Sequence, residues 1–159
     1  MSSFRTVLPE FPAPFRLGYT DRLMLLGSCF TENISARLQT ARFSLLSRPF
    51  GTVYNPISMA RCLNRLVPGN QPFNQNEIFE NAGLWRSWEH HSDFAAPEPL
   101  ETLRIINTRY DEAAAFLKNT NTLLLTLGTA DVHMLKTTGQ VVANNHKMPA
   151  EAFETRRMT

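Results

Sequence analysis

The sequence predicts one α/β domain built on a parallel sheet, and three observations carry that expectation. Leu23-Met24-Leu25-Leu26 is a continuous apolar run that ends at Gly27, and Thr122 to Leu127 reads as a second buried strand that again ends at a glycine, Gly128. Such runs suit strands buried on both faces. The first run passes through a tight turn into a stretch of helical apolar spacing, which is how a parallel-sheet unit begins. The chain has 159 residues, 43% hydrophobic and 19% charged, enough for one ordinary folded domain and not for two.

The elements follow in order. Residues 1–20 are rich in proline and aromatics (Pro9, Pro12, Pro14, Phe11, Phe15, Tyr19) and read as an extended arm whose aromatics pack on the domain, residues 21–159. After the first strand, Phe30, Ile34, Leu38 and Ala41 recur at helical spacing and predict a helix from Thr31 to about Phe43. Ser47 to Pro56 contains Pro49, Gly51, Asn55 and Pro56 and reads as a loop. A helix over Ile57–Val67 is stopped by Pro68-Gly69, and Pro68 to Asn76 is a second loop. Leu84 to Trp88 reads as a strand. Leu103, Ile106, Tyr110, Ala113 and Leu117 share one face of a helix over Leu100–Lys118. The second buried strand, Thr122–Leu127, comes next. Val132–Leu135 and Gln140–Ala143 form a hairpin, and Ala150 to Arg157 reads as the start of a helix. Two buried strands are fewer than a helix-covered parallel sheet needs. Further strands are therefore expected from a partner or from chain beyond Thr159, and exposed apolar faces predict self-association.

Charge narrows the function classes. With 16 basic and 14 acidic residues, net +2, no strong field favours nucleic acid or an anionic membrane. No apolar run approaches the roughly 18 residues of a membrane span, and the first residues lack a signal core, so a cytoplasmic protein is expected. Cys29 and Cys62 are expected to be thiols rather than a bridge. Cys62 lies in the apolar stripe near Met59 and Leu66, where a free cysteine acts as a small hydrophobe. Trp85 and Trp88 read as packing residues.

The chemistry centres on Gly27-Ser28-Cys29-Phe30. A side chain between strand end and helix start projects at the carboxyl edge of the sheet, where open α/β folds bind ligands. The helix aims free N–H groups and its positive dipole end at the same spot, which favours a thiolate at Cys29. Ser28 would need a neighbouring base. Gly27-Ser28-Cys29 also reads as a small-residue turn that lets helix and strand pack closely. His146 is a candidate base or a loop residue bonded to backbone. His90 and His91 point to opposite faces of an extended chain. They could form a metal site with Asp93 and His133 only through long-range folding, and no spacing matches a metal or cofactor motif, so neither is expected.

Several ordered motifs resemble one family. Gly27-Ser28-Cys29-Phe30-Thr31-Glu32-Asn33 is similar to the signature of the GSCFA family. So are Arg48-Pro49-Phe50-Gly51-Thr52-Val53-Tyr54-Asn55-Pro56, Ser87-Trp88-Glu89-His90-His91-Ser92, Leu125-Thr126-Leu127-Gly128-Thr129-Ala130 and Val141-Val142-Ala143-Asn144-Asn145-His146-Lys147. This family is similar to the SGNH hydrolases. The resemblance implies a flavodoxin-like three-layer parallel sheet of the SGNH type, incomplete here, with residues 21–159 as its N-terminal portion. It implies cleavage of an ester or acyl group on a small-molecule or carbohydrate substrate, with Cys29, or else Ser28, as nucleophile. Gly51 and Asn55 correspond to oxyanion donors, and Gly128, Asp131 and His91 to the substrate site.

The departures from the family pattern matter too. Ala130 stands where the superfamily has an oxyanion asparagine, and Asn145 where the GSCFA family usually has cysteine. An aromatic is usual near Asp131 or His133. The superfamily's base is a histidine near the end of the domain, after an aspartate, and no such block precedes Thr159. The sequence therefore admits a rival class, a non-catalytic binding module or remnant lacking that block.

Overall fold

The structure, a computed structural model, describes residue 9 and residues 12–158. Three parallel strands form its centre: β1 (Arg22–Gly27), β2 (Ser44–Thr52) and β5 (Thr122–Thr126), in the order β2-β1-β5. The expected α/β class with a parallel sheet is what forms. β1 is the middle strand, and Leu23, Met24, Leu25 and Leu26 are almost wholly buried, as a run without polar alternation requires. Met24 and Leu26 belong to the main core with Met59, Cys62 and Leu66 and with Ile106, Tyr110 and Ala113. Those partners come from α2 (Pro56–Arg65) with its end, and from α3 (Pro99–Leu117). α1 (Cys29–Thr40) packs along β1 and β2 outside that cluster.

α1 buries Thr31 and Ser35 rather than the apolar stripe, and Phe30 is 59% exposed. Small side chains face the sheet because the helix approaches closely: a Cβ at Gly27 would lie 2.8 Å from Thr31 Oγ1. The helix ends in a Schellman arrangement. Phe43 N–H donates to Leu38 O at 3.0 Å and Arg42 N–H to Gln39 O at 2.9 Å, with Arg42 at φ 65° where glycine is usual.

Three segments differ from expectation. The loop expected over Ser47–Pro56 is largely strand β2. Its Leu25↔Ser47 and Gly27↔Thr52 partners show that β2 advances five residues where β1 advances two. Arg48 (φ 52°) and Gly51 (φ 79°) supply the left-handed turns of that bulge, which is why Pro49 and Gly51 are tolerated within it. The helix expected at Ala150 is a short 3₁₀ turn leading into β8 (Phe153–Arg157), paired antiparallel with β6 (Asp131–Leu135). An open edge of β6 overrides weak local preference. The expected strand at Leu84 is β4 (Leu84–Arg86), half of a hairpin with β3 (Phe79–Asn81) turned by Ala82 and Gly83, both at positive φ.

The hairpin expected after β5 forms from β6 and β7 (Val141–Val142), giving a second sheet, β7-β6-β8, with its own cluster of Leu135, Val142 and Phe153. Arg61 and Asn55 fasten this sheet to α2 by donating to the Val141 and Val142 carbonyls at 2.6 and 3.3 Å. The burial expected for the strand at Thr122–Leu127 does not hold: among the described residues β5 is an edge strand paired with β1 alone, so Leu123 and Leu125 on it and Leu127 just beyond it stand exposed. Of the arm aromatics, Tyr19 stacks on Phe43 at 4.9 Å and Phe15 is exposed; the arm's residues 1–8, 10 and 11 lie outside the described residues. Among the described residues no helix is long and apolar enough to cross a membrane.

Candidate functional site

The turn after β1 sits at the carboxyl edge of the parallel sheet, opposite the end of β5. Gly27 is obligatory there. At φ 146°, a Cβ would lie 2.2 Å from Thr126 Oγ1 and 2.3 Å from Thr126 O, so only a bare backbone lets the strand ends meet. Ser28 N–H donates to Thr126 Oγ1 at 3.0 Å and to Thr126 O at 3.2 Å. The Ser28 hydroxyl lies 3.2 Å from Thr126 Oγ1 and accepts from Phe30 N–H at 3.4 Å. It is thus the N-cap of α1, and it is 7% exposed. Thr126 Oγ1 also reaches Thr31 Oγ1 at 2.6 Å. Cys29, the first residue of α1, is instead exposed. The two candidate nucleophiles are neighbours in sequence and differ in access.

Tyr54 covers this turn. Its carbonyl accepts from Gly128 N–H at 2.9 Å and Thr129 N–H at 3.3 Å. Its ring lies so close over Gly128 that a Cβ there would be 2.6 Å from Tyr54 Cδ1 and 3.4 Å from Ser28 Cβ. The Cys29 thiol lies near enough to the Tyr54 hydroxyl to influence it. Burial pushes the phenol upward, Cys29 and Glu32 add to this and Arg48 opposes it, so Tyr54 remains a protonated donor. Arg48 bonds Glu32 at 2.8 Å and Asp93 at 3.5 Å, while its buried Nε has no partner among the described residues.

The other expected residues fall into three places. Gly51 is buried in the β2 bulge, where a Cβ would lie 2.2 Å from His91 Cβ; His91 N–H donates to Phe50 O at 3.0 Å, and His91 Nδ1 lies 3.0 Å from Asp93. Asn55 and Asp131 line a cavity of about 260 Å³ beside Tyr54, with Thr129, His133 and Asn145. Asn55 caps α2 by accepting from Ser58 N–H at 2.8 Å, and one of its amide hydrogens goes to Val142 O. Asp131 is paired with Arg157 through both oxygens, at 2.9 and 3.3 Å, which holds its carboxyl below the usual range.

His146 is elsewhere in the hydrogen-bond network. It is 4% exposed, and its Nε2 lies 2.8 Å from Ser87 O. A carbonyl only accepts, so Nε2 carries the proton and Nδ1 accepts from the Ser92 hydroxyl at 3.3 Å. Its ring lies against Phe79 and Trp88. Burial lowers its pKa, with the Ser87 bond opposing. Both ring nitrogens are therefore engaged away from the turn, and among the described residues no histidine is hydrogen-bonded to Ser28. The histidines weighed as a metal set also remain apart: His90 lies among Phe50, Phe73 and Phe94, while His133 pairs with Thr155 at 2.9 Å. Among the described residues, no three His, Cys, Asp or Glu side chains gather as a metal-holding group.

The fold thus brings Ser28, Cys29 and Gly128 together, sets Asn55 and Asp131 in the adjoining cavity, and keeps Gly51 with His91. Sequence reading passed over Tyr54 and Thr126 as site residues. Thr126 is findable as the last residue before Leu127-Gly128 at the end of a parallel strand. Tyr54, an aromatic just before an Asn-Pro helix start, had a weaker signal.

The model of the GSCFA family matches residues 22–159. No curated protein and no solved structure matches the chain.

Proposed function

The chain belongs to the GSCFA family, and from the site it carries we propose a hydrolase that cleaves an ester or acyl group of a small or carbohydrate substrate through Cys29. The observation that supports this most is the contrast within the turn: the thiol is open while the serine hydroxyl is held as a helix cap. In this reading the sheet β2-β1-β5 belongs to a flavodoxin-like layer of the SGNH type. The Cys29 thiolate, its proton released to solvent, adds to the ester carbonyl carbon. Tyr54 donates to the oxyanion, and collapse leaves a thioester on Sγ while the departing alkoxide takes a proton from water. A second water cleaves the thioester, releasing the acid and restoring the thiol. The N-terminal amides of α1 favour the negative charge at each stage. Gly51 and the second amide hydrogen of Asn55 are further donors in this scheme, and Gly128, Asp131 and His91 border the substrate.

Hydrolysis of an aryl acetate and of an acetylated sugar tests this. Cys29→Ala is expected to lower kcat/KM by at least about a hundredfold and Tyr54→Phe by about tenfold or more, with Ser28→Ala nearer to wild type. Activity unchanged in Cys29→Ala rejects the proposal.

A second reading, a non-catalytic binding module, is favoured by one observation: the ring nitrogens of His146 are both engaged with Ser87 and Ser92. Saturable binding of an acetylated sugar without turnover would select it.

A further inference from the structure

A cavity of about 620 Å³ shares no lining residue with the Cys29 turn. It lies between the segment around Phe73–Phe79, Ser87–Glu89, the β6–β7 turn and Met148–Ala152. One wall is aromatic, since Phe79 and Trp88 stack at 3.8 Å and 14°, and Leu135 and Met148 extend it as an apolar surface. This size and lining are those of a small-molecule site.

Its charged lining is three carboxylates, Glu77, Glu89 and Glu151, and one ammonium, the exposed Lys136. Glu77 is already held by Arg65 and Asn74, and Glu151 is exposed. Glu89 differs from both. It is half-buried, lines the cavity, and its carboxylate makes no hydrogen bond or ion pair among the described residues. The arginines beside it are engaged: Arg61 donates to Val141 O, and Arg65 pairs with Glu77 and lies over the Phe73 ring. A partly desolvated carboxylate without a partner favours a cationic ligand. An aromatic wall next to it favours an apolar body and adds cation–π attraction.

We propose that this cavity binds a small amphipathic cation, an ammonium group on an apolar or aromatic body, with the ammonium at Glu89 and the body along Phe79, Trp88 and Leu135. The site is independent of the chemistry at Cys29.

Calorimetric titration near neutral pH with 2-phenylethylamine, 2-phenylethanol and 3-phenylpropanoate tests it, because the three probes differ mainly in charge. The amine is expected to bind saturably and about tenfold or more tighter than the alcohol, a difference of about 1.4 kcal/mol, with the carboxylate weakest. Glu89→Gln should reduce the amine to the level of the alcohol, and Cys29→Ala should leave all three unchanged. In the wild-type protein the Trp88 indole N–H resonance should shift along the same saturation curve. No saturable binding, equal binding of the three probes, or an amine preference that survives Glu89→Gln would overturn the proposal.

Discussion

Cys29 and His146 are the two kinds of side chain a thiol hydrolase uses as a pair, and here they have opposite surroundings. Cys29 stands exposed at the start of α1, with Tyr54 as neighbour and the helix amides behind it. The histidine segment is closed. His146 is fixed between Ser87 and Ser92, and His90 lies among three phenylalanines with Nδ1 3.0 Å from Ser87 Oγ. Burial pushes the His90 pKa down to about 3. One region is built for access and the other for neutral packing. A motif that contains a histidine therefore does not by itself supply a base, because its hydrogen-bond partners decide what the ring can do.

The largest expected effect comes from breaking the turn. Gly27→Ala forces a Cβ to within 2.3 Å of Thr126 at a backbone angle that side chains disfavour. The loss should be about 3 kcal/mol or more in urea unfolding, combining overpacking with the left-handed penalty. An unperturbed midpoint would mean the strand ends are not locked as described.

The histidine region should reveal itself through pH. His90 is protonated more readily in the unfolded chain, with an ordinary pKa near 6.5, than in the fold, at about 3. Stability present above pH 6.5 is therefore lost as pH falls through that window, by about 2 kcal/mol at pH 5. The downward shift of His146 acts in the same direction. Thermal melts from pH 7.5 to 5 should show the decline, and His90→Phe should flatten it. A flat wild-type profile would place His90 in water.

Thr31→Val should have the smallest effect. It removes the 2.6 Å hydroxyl pair to Thr126 and should lower stability by about 1 kcal/mol while leaving Cys29 open. A loss of Cys29 alkylation in this variant would show that the threonine pair governs access.

How much of this was legible depended on how local each signal was. α3 and β1 follow from apolar spacing that their own residues carry, whereas β5 follows as a strand but not as a buried one, because its place at the sheet edge leaves Leu123 and Leu125 exposed. β2 was hidden because Pro49 and Gly51 are loop residues by composition, and only the pairing to β1 makes them a bulge. β8 was hidden because Phe153–Arg157 gains its strand character from the open edge of β6. The β3–β4 hairpin turns on Ala82-Gly83 rather than a usual Asn-Gly. At the site, Ser28, Cys29 and Gly128 could be read because strand ends in a parallel sheet meet at one edge. The Tyr54 contact with Cys29, and the closed environment of His146, depend on residues distant in sequence, and no spacing encodes them.

In the proposed mechanism Cys29, not Ser28, receives an acyl group. Incubating the protein with an aryl acetate, quenching in acid and mapping the acetyl mass by peptide fragmentation tests it most directly. An acetyl group on Cys29, removed by hydroxylamine and absent in Cys29→Ala, is the predicted result. An acetyl group on Ser28, or no adduct at Cys29 while substrate is consumed, would contradict it.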